Sequence, residues 1–488
     1  MNSEHNTTFS RIAVLGAGMS GLSAAYRLNT INKGVKIDVW EKNFRVGGVL
    51  LTDHVDQYQI EQSADNFITT VPWGLDLCEE LGLTDELVQT NPEYRRTYVV
   101  HRGRLHLLPD GFLMLAPTKL WSMAVTPILS PWGKLRSGLE LFVPSRKDDA
   151  DESMADFVRR RLGKEVFERL VEPLVSGVYA ADMEKLSVLA TLPRFREMEK
   201  QYGSLILAMQ RLLKANRAAH LAEQSGARYS MFVTLKKGLS FLCETLAQRL
   251  PPNSVHLGRQ VVKMERLRLD GVNRFCWRLT DSAGQSDEYD AVICALPSHE
   301  AARLLDDALP ELACRLARIE HQGTAIATFA FHANQLKQQV RGMGFVVPKI
   351  ERSPILAGSF SSLKYKHRAP DDRILLRIFA GGARAPQMAE MEDGQLVPLL
   401  LTGLKKVLKI EGEPHLTTVS HWPRTMPQYH VGHLELVAEI ENLIAGLPDF
   451  AVAGNAYHGV GIPNCSRSGQ LAAEKIGKKM TQSEPRTE

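Results

Sequence analysis

The chain has 488 residues, 44% of them hydrophobic and 23% charged, with a formal net charge of +4. Those proportions suit a globular protein of two or three domains and exclude a disordered or fibrous chain. The basic excess is too small to argue for nucleic acid. Six scattered cysteines with no C-x-x-C pair argue against a metal site and for free thiols in a reducing compartment.

The first ten residues, MNSEHNTTFS, show no apolar or arginine-rich targeting pattern, so a cytoplasmic protein is expected. The next stretch, Arg11 to Gly48, is the most informative. Arg11 to Leu15 is a short apolar run suited to a buried parallel strand, and Gly16, Ala17, Gly18, Met19, Ser20 and Gly21 form G-x-G-x-x-G into a helix Met19–Asn29. In such a turn the first glycine permits the bend, the second lets backbone approach a pyrophosphate, and the third packs helix on strand. Val35–Trp40 reads as the second strand. Glu41, 20 residues beyond Gly21, stands where a carboxylate accepts from an adenosine ribose. Arg45, Gly47 and Gly48 then make a second glycine turn with a cation beside it, which suits FAD, held from more than one side, better than NAD.

Tyr58–Phe67 runs from a strand into a small polar loop, Ser63, Ala64, Asp65 and Asn66, able to bring backbone close to a ring system. A helix Pro72–Leu81 follows, then a hairpin Tyr98–Leu108 around Gly103. From Gly111 to Pro144 apolar stretches are broken by Pro117, Pro127 and Pro131, with Trp121, Trp132, Lys119, Lys134 and Arg136 among them. Such helices could lie in a bilayer interface or cover a greasy ligand cavity, and both readings stand. No apolar run reaches the 18 residues of a spanning helix.

Helices are expected over Ser153–Val171, Arg194–Lys200 and Ser240–Leu250, with Arg159 to Arg161 as a solvated face. Val261–Arg268 and Phe275–Thr280 read as paired strands. The apolar run Ala291–Leu296 reads as a strand of a parallel sheet, which returns the chain to its first domain. Residues 301–448 mix strands (Thr324–Phe331, Ile374–Phe379) with helices such as Gly394–Leu408. Last comes a glycine-rich loop, Ala451–Cys465, before a helix Ser466–Lys479. Beside a flavin it would aim N–H groups at the side that becomes anionic on reduction. His458 and Cys465 in that loop read as structural rather than as an acid–base pair.

The resulting class is α/β: a discontinuous Rossmann-like FAD-binding domain (8–91, 229–300, 449–480), an α+β substrate domain (92–114, 206–228, 301–448) and a helical subdomain able to meet a membrane surface (115–205).

With these pieces placed, the chain resembles the protoporphyrinogen oxidase family, including its bacterial coproporphyrinogen III oxidase branch. RRLGKEVFERLVEPLVSGVYAADMEKLSV (160–188), KKGLSFLCETL (236–246), GSFSSLKYKHRAP (358–370), MPQYHVGH (426–433) and GNAYHGVGIPNCSRSG (454–469) carry the resemblance. It implies a non-covalent FAD that takes six electrons from a porphyrinogen, coproporphyrinogen III or protoporphyrinogen IX, in three cycles with O2 as acceptor and H2O2 released. It adds Lys42, Val49, Val262, Asn455, Val460, Gly461 and Ile462 to the FAD contacts, with Ser63 to Asn66. It places Phe360 and Val346 in the substrate slot. The arginine that pairs a propionate in mitochondrial members falls at Thr97, with Arg95 and Arg96 adjacent, which points to the bacterial branch.

No side chain is assigned to catalysis and none to a metal, because a bound flavin does the redox chemistry. The same resemblance admits a homodimer, hand-over of porphyrin to the next haem-pathway enzyme, and residence on the inner face of the cell membrane. Other readings are an amine oxidase, a carotenoid desaturase, or a non-enzymatic scaffold for FAD and porphyrin.

Overall fold

The computed structural model describes residues 10–481 except 33, 118, 223–230 and 270–274. Five parallel strands form the first sheet, in the order Val255–Leu257, Lys36–Glu41, Arg11–Leu15, Ala291–Cys294, Phe450–Val452. Its centre is buried on both faces, as the continuous apolar runs Ile12–Leu15 and Ala291–Cys294 require. Ile12, Val14 and Ile293 pack under the helices Met19–Ile31 and Ile462–Thr481. Ala13, Leu15 and Val292 face the other way, against an antiparallel three-stranded sheet (Val261–Arg268, Phe275–Asp281, Ser286–Tyr289) and the helices Ser298–Leu305, Pro310–Ala317 and His433–Ala445. Pro310–Ala317 and His433–Ala445 lie within residues expected in the substrate domain, and Ser298–Leu305 spans its expected start, yet their apolar faces are used here.

The second sheet has seven strands, ordered Leu416–Pro427, His321–His332, Arg373–Gly381, Ala357–Phe360, Gly344–Val346, Thr97–His101, Arg104–Leu107. All neighbours are antiparallel except Gly344–Val346 with Thr97–His101. One face buries Phe345, Phe360, Leu376 and Ile378 under the helix Asp393–Leu408. The opposite face looks towards the first sheet's loops: Trp422 Nε1 donates to the Gln62 carbonyl at 2.6 Å, and Arg377 donates to that of Ser63.

Between residues 120 and 222 the chain is helical around one apolar core that includes Phe157, Leu170, Leu186 and Phe195. The expected helix Ser153–Val171 is broken at Gly163, whose φ of +91° ends Met154–Leu162; a wider turn, Phe167–Val171, then leads into Glu172–Tyr179. The expected solvated face is also corrected. Arg161 is fully buried, paired with Glu140 and donating to the Val143 and Gly203 carbonyls at 2.8 Å, and Arg160 binds Glu152 at 2.6 Å and Glu199 at 2.5 Å. Acids from three distant segments converge on these guanidinium groups, which a run of arginines cannot reveal alone.

Candidate active site at the flavin loops

Gly16 adopts φ +96° and its N–H donates to the Trp40 carbonyl at 2.8 Å, turning the first strand into the helix at Met19. A Cβ on Gly21 would lie 1.9 Å from the Gly16 carbonyl oxygen, so only glycine lets helix and strand pack this closely. Gly18 precedes the helix without a side-chain cap, and no acidic residue occupies the first turn. The leading N–H groups therefore retain the positive end of the helix for an anion. Opposite them, Gly47 donates to the Ala17 carbonyl at 2.8 Å, and a Cβ on Gly48 would come 3.2 Å from Gly18 Cα.

Glu41 is buried at the end of its strand. Its carboxylate accepts from the Ala17 amide at 2.9 Å and from Asn43 at 2.7 and 2.9 Å, which fixes it beside the turn with acceptor capacity left for a ribose hydroxyl. Arg45 does not extend towards a phosphate. Its guanidinium donates to the carbonyls of Val46 (3.1 Å), Leu50 (3.3 Å) and Gly48 (2.6 Å), and so braces the second turn from within. Lys42 and Val49 are exposed on either side of that turn. Val262 sits at a bulge where pairing skips from Val261 to Lys263, leaving its backbone outside the ladder. Close-approach glycines, an uncapped helix start and a ribose carboxylate together fit a dinucleotide.

At the other end, Ser63 to Asn66 meets the second sheet, and the buried Ser63 Oγ has no hydrogen-bond partner among the described residues. Asp65 takes Lys364 Nζ at 3.0 and 3.1 Å and Arg368 at 3.4 Å. Burial would push this carboxyl up, but Lys364, Arg377 and Arg368 outweigh it and hold the group far below the usual carboxylate range. The C-terminal loop is pinned as well: Asn455 Nδ2 donates to the Thr425 carbonyl at 3.2 Å and the Gly454 amide to Ser468 Oγ at 3.0 Å. Val460 and Gly461 follow, and Ile462 opens the last helix, four residues earlier than expected because Pro463 is tolerated in a first turn.

On the sheet face towards these loops, Val346 and Ala357 pack against the helix carrying Gly177, where a Cβ would lie 3.7 Å from Val346 Cγ1. Phe360, expected to stack on substrate, is corrected. Alternation along its strand turns it to the back, fully buried with its ring 5.8 Å from Phe345, and gives Ser359 the front. Thr97 pairs with Gly344 at the sheet's margin. Arg95 is exposed there, its guanidinium tied to Thr90 Oγ1 and O at 3.2 Å, and Arg96 is exposed beside it.

His458 is exposed and bonded to Glu441 at 2.7 Å, while burial pushes the Cys465 thiol up to about 11, so the two make no acid–base pair. Among the described residues no three His, Cys, Asp or Glu side chains gather as a metal site. An apolar cavity of about 470 Å³ lies between the helices His433–Ala445 and Ile462–Thr481, lined in part by Tyr457 and His458 of the C-terminal loop. The sequence reading missed Tyr429, Lys364, Arg368 and Arg377. The signals were present, a selective MPQYHVGH block and a cationic KYKHR run, but the partners of Lys364, Arg368 and Arg377 lie about 300 residues away, and those of Tyr429 in a loop 26 to 30 residues on.

The family model for flavin containing amine oxidoreductases matches residues 19–477. Coproporphyrinogen III oxidase of Bacillus subtilis (strain 168) is 32% identical over 466 residues, 94% of this chain and 96% of that relative. The enzyme of the same name from Propionibacterium freudenreichii subsp. freudenreichii is 32% identical over 489 residues, 95% and 90% of the two chains. A crystal structure from Exiguobacterium sp. 255-15, assigned there as a protoporphyrinogen oxidase, superposes with a TM-score of 0.84 at 30% identity over 98% of this chain and 100% of its own. The glycine cradle, the buried Glu41 carboxylate and the relatives agree, and the chain belongs to the flavin containing amine oxidoreductase family.

Proposed function

We propose that this flavoenzyme is a porphyrinogen oxidase of haem biosynthesis, converting coproporphyrinogen III to the porphyrin by removal of six electrons. Three O2 accept them and three H2O2 leave. The observation that carries this reading is the apolar surface of Val346, Ala357 and Gly177, against which Val460 of the C-terminal loop packs, while His458 and Cys465 of that loop form no acid–base pair. Bound FAD supplies the hydride acceptor, and aromatisation of the macrocycle supplies driving force. The residues hold the ring carbon against the cofactor, exclude water and leave proton transfer to solvent at the rim.

Thr97 in place of an arginine, with Arg95 at the exposed margin, supports a substrate with carboxylates spread round its edge, as do the names of the two relatives at 32% identity. The test is to incubate the holoenzyme separately with coproporphyrinogen III and protoporphyrinogen IX, following porphyrin fluorescence and peroxide. Faster turnover of the first, with about three H2O2 per porphyrin, is expected; no porphyrin from either would sink the reading.

Peripheral membrane contact is part of the proposal. No helix among the described residues is long and apolar enough to cross a membrane. Trp132, Leu135, Leu139 and Phe142 instead form an exposed stripe at helical spacing, with the tryptophan 79% and the phenylalanine 81% exposed.

A further inference from the structure

The block Met426–His433 is among the most selective in the sequence, and no function has so far been attached to it. Tyr429 is its pivot, 2% exposed. Its hydroxyl donates to the Asn455 carbonyl at 2.5 Å and accepts from the Gly459 amide at 2.8 Å, so one oxygen closes the span Asn455–Gly459. Its ring stacks on the imidazole of His433, centroids 4.0 Å apart and planes 12° off parallel. His433 Nε2 in turn meets the Tyr457 carbonyl at 3.1 Å. Two side chains thus satisfy three backbone groups of a loop with no secondary structure of its own.

The backbone of the same segment faces the helical region. The Ser187 amide donates to the Tyr429 carbonyl at 2.8 Å, and the Val431 amide to that of Lys185 at 2.9 Å. Loop and helical region are therefore fastened to one short segment just past the strand Leu416–Pro427. Burial pushes the Tyr429 phenol further up from its ordinary value, so the hydroxyl keeps the proton it donates.

We infer that Tyr429 is a positioning residue for the flavin loop, its hydroxyl fixing the Asn455 carbonyl and Gly459 amide so that Val460 to Ile462 stay aimed at the cofactor. The inference rests on the reading that Asn455 to Ile462 faces the flavin. Removing the hydroxyl leaves the half-buried Asn455 carbonyl and Gly459 amide without their shared partner, and the loop must move to satisfy them. N–H groups that supported negative charge on the ring are then displaced, and reduction becomes harder.

The test compares holoenzymes of the wild type, Tyr429→Phe, which keeps the stack, and Gly461→Asp, which puts a negative charge in the loop. The flavin midpoint potential and the affinity for sulfite are read at saturating FAD, where a purely structural role would leave both unmoved. Tyr429→Phe is expected to weaken sulfite binding at least fivefold and to lower the potential in the same direction as Gly461→Asp. A response to Gly461→Asp alone would overturn the inference. No response to either would show that the loop does not face the flavin, and the reading beneath it falls too. Should Tyr429→Phe retain no FAD, His433→Leu, which removes the bond to Tyr457, takes its place: a smaller shift of the same sign supports the inference and no shift overturns it.

Discussion

Arg377 and Asp65 meet where the second sheet touches the first sheet's loops. Arg377 Nη1 stands 3.5 Å from Asp65 Oδ2 while another of its nitrogens donates to the Ser63 carbonyl. Lys364 and Arg368 close on the same carboxylate, and Arg368 also lies 3.5 Å from the buried Glu61. One loop aspartate is thus the anion that three strongly buried cations share.

Asp65→Asn keeps the shape and removes that charge. Breaking a buried pair by losing one partner costs about 3–5 kcal/mol, so thermal unfolding should show a loss of that order together with weaker FAD retention. The pH dependence has a fixed sign. The folded carboxyl ionises below the unfolded value near 4, so the contribution is whole above about pH 4 and fades as pH falls through the folded value. Wild type and Asp65→Asn should therefore differ at pH 7 and converge below about pH 4; parallel curves down to pH 2 would refute it.

Gly21→Ala puts a Cβ 1.9 Å from the Gly16 carbonyl oxygen, backbone that cannot swing aside. The helix must back away from its strand, and the N–H groups that would hold the pyrophosphate move with it. The purified variant should lack the yellow absorbance near 450 nm and recover little of it when FAD is added. A variant that purifies as yellow as the wild type would mean that the cradle is elsewhere.

The readable parts of this molecule were those whose cause is local. Gly16, Gly18, Gly21 and Glu41 declare themselves by spacing, and the apolar run Ala291–Cys294 declares a strand buried on both faces. Arg161 was misread because its partner Glu140 lies in another segment, and a run of arginines looks the same solvated or buried. The resemblance put Phe360 in the substrate slot, and a core place was the open alternative: one residue decides which face a strand side chain takes, and Phe360 packs at the back while Ser359 takes the front. Arg45 shows a third kind of failure, a cation in the expected place whose hydrogen bonds are spent on its own loop.

The arginine network makes its own prediction. Glu199 binds Arg160 and Arg196 at 2.5 Å with its carboxylate fully buried, and Arg196 is almost fully buried too. Glu199→Ala strands these guanidinium groups and should destabilise the helical region by about 3–5 kcal/mol, whereas Glu184→Ala, which loses only an exposed partner of Arg159, should cost under about 1 kcal/mol. Urea unfolding of the two variants measures the contrast, and equal midpoints would contradict the burial.

The exposed stripe predicts a binding difference without an activity difference in detergent-free buffer. Trp132→Ser with Phe142→Ser removes the two most exposed rings from the stripe, so co-sedimentation with vesicles containing anionic lipid should fall at least tenfold. Unchanged sedimentation would remove the stripe as a membrane contact.

His433 adds an acid-sensitive element next to the flavin loop. Burial pushes its imidazole down to about 4, so between that value and the unfolded value near 6.5 the unfolded chain binds the proton and the folded chain does not. Stability then rises with pH across this window, and acidification from pH 6.5 to 4 should withdraw roughly 2–3 kcal/mol through this residue alone. The half-buried His321 is pushed to about 4 as well and steepens the same slope. His433→Gln removes the titration and leaves an amide able to reach the Tyr457 carbonyl. Its melting temperature should fall less than the wild type's between pH 7 and pH 5, and an identical decline would place the acid sensitivity in the other histidines.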